Sequence, residues 1–177
     1  VIGILLTKNY IVRWGKKKVT AIGYAGAGIT LILMYFMDPS NLTLMIVLHA
    51  LYGFFCFSFP IPMSMIPEAI NYQEDRIGIR TDGLAYAATS LSTKVGNAFG
   101  PAMALMIMGA FGYVANAQQS VEAMKGINLA TNLVFGICYL LALIPLFLYP
   151  LNAEKNAQIQ ASLDAKRNAR QAGMEKE

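Results

Sequence analysis

The sequence predicts an all-α, polytopic membrane protein, and three observations predict it. Hydrophobic residues make up 56% of the 177 positions and charged residues only 14%. Mean hydropathy is +0.47, a balance foreign to soluble domains. The apolar residues also gather into runs long enough to cross a hydrocarbon core of about 30 Å, which takes about 20 helical residues.

Four runs meet that length: residues 19–37, 42–66, 83–110 and 127–149. An apolar stub, 1–7, precedes them with no initiator Met and no charged n-region, so it reads as the tail of a span already cut and the chain as a C-terminal fragment. Residues 1–150 thus form one transmembrane bundle, and 151–177 a tail. No composition shift divides the chain further, and no repeat of 20 to 50 residues is visible.

The first span is entered through a basic loop, with Lys8, Arg13, Lys16, Lys17 and Lys18 before it. Arg76 and Arg80 lie between the second and third spans, and Lys155, Lys166, Arg167, Arg170 and Lys176 follow the fourth. The opposite connections hold only Lys125. The positive-inside rule therefore puts the first loop, the 70–82 loop and the C-terminal tail in the cytoplasm, with 38–41 and 111–126 outside. A net charge of +4 reports this topology. It does not report nucleic acid, because no aromatic-interleaved basic face accompanies it.

Within the first span, Gly23, Gly26, Ala27 and Gly28 predict close helix packing. The string GYAGAG there lacks the spacing and the strand-turn-helix context of a nucleotide fingerprint. The second span closes on FSFPIPMSMIPEAI, where Pro60, Pro62 and Pro67 each remove a backbone donor and predict a hinge over 59–67. His49 in its outer half has no second His, Cys or carboxylate beside it, so it reads as a hydrogen-bonded packing residue and not as a metal ligand. Cys56 and Cys138 sit in apolar runs and read as small core residues.

The third span carries the chemistry. Lys94 is the only charged side chain between Gly83 and Ala110, and a cation at a bilayer centre costs roughly 2.5 kcal/mol or more, which points to function. Tyr86, Ser90, Lys94, Asn97 and Pro101 are spaced four, four, three and four apart, so they share one helical face with Thr93 at its edge. Hydroxyl, ammonium and carboxamide groups in line suit a water-filled pathway or a polyol site. Pairing of Lys94 with a carboxylate for assembly alone is the plainer alternative. Gly96 and Gly100, with Ala104 a turn on, predict helix packing.

Between the second and third spans, Glu68, Glu74, Asp75, Arg76, Arg80 and Asp82 alternate in sign. This suits an ion-pair network that locks two helix ends in one conformation and releases them in another, or else a solvated turn. In the tail, Ile159 and Leu163 stand four apart among Ala, Gln, Lys and Glu, which predicts a solvated amphipathic helix.

The strings PEAINYQEDRIGIRTDGLAY, STKVGNAFG, GYVANAQQS and KGI resemble the C-terminal half of the glycoside-pentoside-hexuronide:cation symporters, the melibiose permease-like family of the major facilitator superfamily. The pattern matched is Glu68, Tyr72, Glu74, Gly78, Arg80, Asp82 and Lys94, and the likeness covers nearly the whole chain. It implies helices nine to twelve of a twelve-helix sugar transporter, with 1–7 ending helix eight. It also implies that Lys94 lies near a sugar and coupling-cation site, with Ser90 and Phe59 near the cavity, and that Glu68, Glu74, Arg80 and Asp82 form a cytoplasmic gate. Asn71 stands where the family often has Asp, and Glu68 where Asp is usual, so a rearranged network is expected.

The function this implies is alternating-access transport of a glycoside, pentoside or hexuronide with sodium or a proton. Its partners would be the sugar substrate, the coupling cation, the lipid bilayer of a bacterial inner membrane and a missing N-terminal helical bundle, with no nucleic acid and no cofactor. Another class of major facilitator transporter, or a structural or regulatory membrane fragment, are the alternatives. No H-E-x-x-H string, no Asp pair at helix spacing within a span and no nucleophile-base pair supports an enzyme.

Overall fold

The computed structural model describes residues 2–38 and 40–174. Nine α-helices run through them in the order α1 (Ile2–Trp14), α2 (Lys16–Phe36), α3 (Leu42–Phe55), α4 (Ile61–Ile77), α5 (Asp82–Ala110), α6 (Val121–Asn128), α7 (Phe135–Leu141), α8 (Leu143–Leu148) and α9 (Ala153–Met174). A 3-10 turn, Cys56–Ser58, joins α3 to α4, and a π-helical segment, Leu129–Val134, joins α6 to α7. No strand occurs among the described residues.

Local chemistry sets the boundaries. Gly15, with φ +78°, separates α1 from α2 in a conformation that side chains resist. Asn41 opens α3 by accepting the Leu44 amide on its side chain at 3.1 Å, and Ser120 opens α6 by accepting that of Ala123 at 3.1 Å. Gly78 closes α4 at φ +74°, its amide bonded to the Glu74 carbonyl at 2.8 Å.

Helix α2 is the hub, packed against α3, α7, α8 and the π segment. Its small face makes this possible: a Cβ on Gly23 or Gly26 would overlap Ser58 or Phe55, and one on Gly28 would lie 2.9 Å from the Gly136 carbonyl. One buried cluster joins Val19 to Phe57, Ile61 and Met65, and another joins Leu31 and Met34 to Leu48. Large apolar side chains such as Phe36, Phe147 and Leu148 are exposed around this bundle, as a surface meeting lipid or further helices requires.

Several expectations shift. Lys16–Phe36, Leu42–Ile77 taken across its turn, and Val121–Leu148 are long and apolar enough to cross a membrane. Helix α5 is long enough at 29 residues, but its Tyr, Ser, Thr, Lys and Asn side chains lower its apolarity below that of the other three. The fourth span starts at Val121 rather than at 127, because the Ser120 cap nucleates its helix earlier. The break in the second span falls at Cys56–Ser58, just ahead of the expected hinge. Pro60 and Pro62 occupy the first turn of α4, where the missing N–H costs nothing, and Pro67 sits inside a continuous helix.

Gly96 and Gly100 meet nothing within 4 Å of a would-be Cβ, so the GxxxG of α5 makes no close helix contact among the described residues. No residue of α5 is buried; it touches α4 at its start and α6 and the π segment at its far end. Cys138 is exposed and Cys56 half-buried, so neither is a core residue. His49 bonds through Nδ1 to the Met45 carbonyl at 2.9 Å but is exposed, so it has the expected hydrogen bond and not the expected packing.

The tail departs most. Helix α9 docks along α4 instead of standing free in solvent: Leu151, Ile159 and Leu163 are buried against Tyr72 and Tyr149. The i, i+4 pair that suggested an amphipathic helix is its seam, and polar bonds to α4 flank it.

Candidate functional site

The junction between α4 and α5 is built around Arg80. Gly78 turns the chain back after α4, which brings Arg80 beside the last turn it has just left. Its guanidinium makes a two-pronged pair with Asp82, Nε to Oδ2 at 2.6 Å and Nη2 to Oδ1 at 3.0 Å. Nη1 reaches back to Oε2 of Glu74 at 2.8 Å and Oδ1 of Asn71 at 3.3 Å. Thr81 donates to Gln73 at 2.9 Å across the same turn. The Asp82 and Glu74 carboxylates hold the Arg80 guanidinium above its ordinary pKa. Forked pairing of this kind fixes orientation as well as charge.

Helix α9 brings a second layer that the sequence reading missed. Arg167 donates to Glu74 Oε2 at 3.1 Å, Lys166 to Asp75 Oδ1 at 2.7 Å, and Ser162 to the same Asp75 oxygen at 2.8 Å. Asn71 donates to Gln160 at 3.1 Å. Lys166, then Ser162, hold the Asp75 carboxyl below its ordinary value. The signal available in the sequence was basic residues falling three and four positions beyond Leu163, on the edge of the apolar seam.

Of the four expected gate residues, Glu74, Arg80 and Asp82 meet and Glu68 does not. Glu68 pairs with Lys16 of α2 at 2.6 Å and accepts the Tyr149 hydroxyl at 3.3 Å. It lies more than a turn before Glu74 on α4, out of reach of Arg80 and facing the basic loop.

The polar stripe of α5 stands apart from this network. The side chains of Tyr86, Ser90, Lys94 and Asn97 make no hydrogen bond or ion pair with any described residue, and all four residues are exposed. Thr93 folds its hydroxyl back onto the Thr89 carbonyl at 2.9 Å. Phe59 is 71% exposed at the head of α4, with no ring contact to the stripe. The half-shielded positions of α5, including Ala85, Thr89, Gly100, Ala104 and Ile107, form the neighbouring strip, so the stripe is turned away from the other helices. No group of His, Cys, Asp or Glu among the described residues could hold a metal ion.

A helical bundle of membrane-length spans, joined by an arginine-centred junction and carrying a cation on an open polar face, defines a polytopic membrane protein. The chain belongs to the MFS/sugar transport protein family, whose pattern it matches over residues 1–153. It is 32% identical over 151 residues to the uncharacterized symporter YnaJ of Bacillus subtilis (strain 168), covering 85% of this chain and 33% of that protein. It is 27% identical over 167 residues to the glucuronide carrier protein homolog of Escherichia coli (strain K12), covering 94% and 36%. Over a shorter stretch of 65 residues it is 35% identical to the isoprimeverose transporter of Lactiplantibacillus pentosus, covering 37% and 14%. The chain spans about a third of the length of the first curated relatives it matches. No solved structure matches it.

Proposed function

We propose that the chain is the C-terminal helical bundle of a secondary active transporter that moves a glycoside, pentoside or hexuronide together with sodium or a proton. The observation that carries this reading is Lys94. A side chain whose charge costs roughly 2.5–3.5 kcal/mol at a helix centre in lipid has no partner among the described residues and shares its face with Tyr86, Ser90 and Asn97, three groups able to hydrogen-bond a sugar hydroxyl. Its compensation then comes from water, substrate or a facing bundle. Family membership and relatives named as symporter and glucuronide carrier support the same reading.

In this mechanism 19–37, 42–66, 83–110 and 127–149 span a bacterial inner membrane, and 13–18, 70–82 and the tail lie in the cytoplasm. An N-terminal bundle faces the α5 stripe, and the two rock around a midplane site. The stripe, with Thr93 at its edge, and Phe59 contribute hydroxyl, amide and aromatic surface to the sugar. Lys94 changes partner as cation and sugar bind together. Glu74, Arg80 and Asp82 hold the cytoplasmic ends of α4 and α5 in one arrangement and release them in the other; Glu68 acts through Lys16 instead.

Uptake of radiolabelled glycosides into vesicles tests this, using the full-length protein and its Lys94→Ala variant with and without a sodium or proton gradient. Gradient-driven accumulation lost in the variant is the expected result. No accumulation of any sugar by folded protein overturns the transport reading, and uptake unaffected by the variant overturns the role of Lys94.

A further inference from the structure

The basic run across the α1–α2 junction, Arg13 at the end of α1 and Lys16, Lys17 and Lys18 at the start of α2, does more than set charge. It lines a cleft of about 590 Å³ in which Arg13, Lys16, Lys17 and Lys18 face Glu68 and Glu154, an excess of two positive charges. Lys16 is held by Glu68 and by the Ser64 carbonyl at 2.9 Å, and Lys17 by the carbonyls of Phe147 at 3.0 Å and Tyr149 at 2.6 Å. Arg13 and Lys18 have no hydrogen-bond or ion-pair partner among the described residues.

Two apolar grooves border this cleft. One, of about 310 Å³, shares Tyr149 with it and runs between α2, α4 and α8 past Met65, Ile66, Pro145 and Leu146. The other, of about 210 Å³, shares Trp14 and runs past Tyr10, Ile22 and Phe54. A cationic cleft bordered by two apolar grooves suits an anion carrying two hydrocarbon chains.

We infer that the Arg13–Lys18 cleft with its two grooves binds an anionic diacyl phospholipid, with the phosphodiester between Arg13 and Lys18 and an acyl chain in each groove. The inference rests on the proposed placement of residues 13–18 at the cytoplasmic membrane surface, where anionic headgroups are available. The headgroup phosphate also competes with Glu68 for Lys16, so occupancy loosens the tie between α2 and α4.

Native mass spectrometry of the full-length protein, titrated with phosphatidylglycerol and with phosphatidylcholine of the same chain length, reads the site directly. Retention of phosphatidylglycerol over phosphatidylcholine is expected, and Arg13→Gln with Lys18→Gln should weaken it roughly thirty-fold, from about 1 kcal/mol per basic residue at an anionic surface. Neither side chain has a partner among the described residues, so the double variant keeps the fold. Ala142→Phe, which fills the first groove, should weaken binding with every charge in place. Equal retention of the two lipids, or binding indifferent to all three substitutions, overturns the inference. So does full displacement by inorganic phosphate or glycerol phosphate, which would mark a site for free phosphate. Binding is read without transport: a protein that selects phosphatidylglycerol but moves no sugar counts against the transport reading alone, and one that accumulates sugar while taking both lipids equally counts against this one alone.

Discussion

Arg167 of the tail helix donates to the same Glu74 oxygen that Arg80 holds, at 3.1 Å against 2.8 Å. One carboxylate therefore ties α4 to α5 on one side and to α9 on the other, and whatever moves α5 is felt by the tail.

Arg80→Ala removes the links to Glu74, Asn71 and Asp82 together, so it should abolish gradient-driven uptake while the protein still reaches the membrane. Arg167→Ala removes its contacts to Glu74 and to Asp164, surface pairs worth at most about 1 kcal/mol each. Hydrogen exchange should then accelerate in α9, with α5 exchange unchanged and uptake retained. Parallel acceleration in α5 would show that the tail sets the junction itself.

Lys94→Arg keeps the charge but replaces a compact ammonium by a planar fork. Uptake should fall at least tenfold in the arginine variant and vanish in Lys94→Ala, measured as initial rates under one gradient. Equal rates for Lys and Arg would mean that charge alone matters at that position.

The docking of α9 should weaken in acid. The Asp75 carboxyl is held low by Lys166 and Ser162, so it contributes stability that is fully present above its ordinary value near 4 and is lost as pH falls through the lowered folded value. Proteolysis of the tail should rise below about pH 4, and Asp75→Asn should show the raised rate at neutral pH with little further change on acidification.

Gly28 and Gly96 should behave oppositely. A Cβ at Gly28 lies 2.9 Å from the Gly136 backbone carbonyl, which cannot swing aside, whereas one at Gly96 meets nothing within 4 Å. Gly28→Ala should cost about 1–3 kcal/mol, in the range of overpacked cores, read as a lowered melting temperature in detergent. Gly96→Ala should stay within about 0.5 kcal/mol.

The helical class, the membrane-length runs and the small face of α2 were legible because each rests on local signals: composition, run length and glycine spacing. The meeting of Glu74, Arg80 and Asp82 was legible for the same reason, since all three lie within nine positions around one turn. Three features were hidden. Glu68 was drawn away by Lys16, 52 positions earlier, and no local pattern reports such a partner. Burial of Ile159 and Leu163 depended on Tyr72 offering a surface, which an isolated amphipathic helix does not reveal. The open face of Gly96 and Gly100 shows the converse, because a packing motif states what a helix is able to accept and not what lies beside it in this chain.

Lys17 is fastened to the carbonyls of Phe147 and Tyr149, at the far end of the bundle in sequence. On the proposed orientation, the same ammonium group is read twice: by the insertion machinery as a marker of sidedness, and by the finished bundle as a rivet that closes its last helix onto its first full span. Neutralising it would therefore leave two separate scars, chains inserted the wrong way round and correctly inserted chains whose final helix frays.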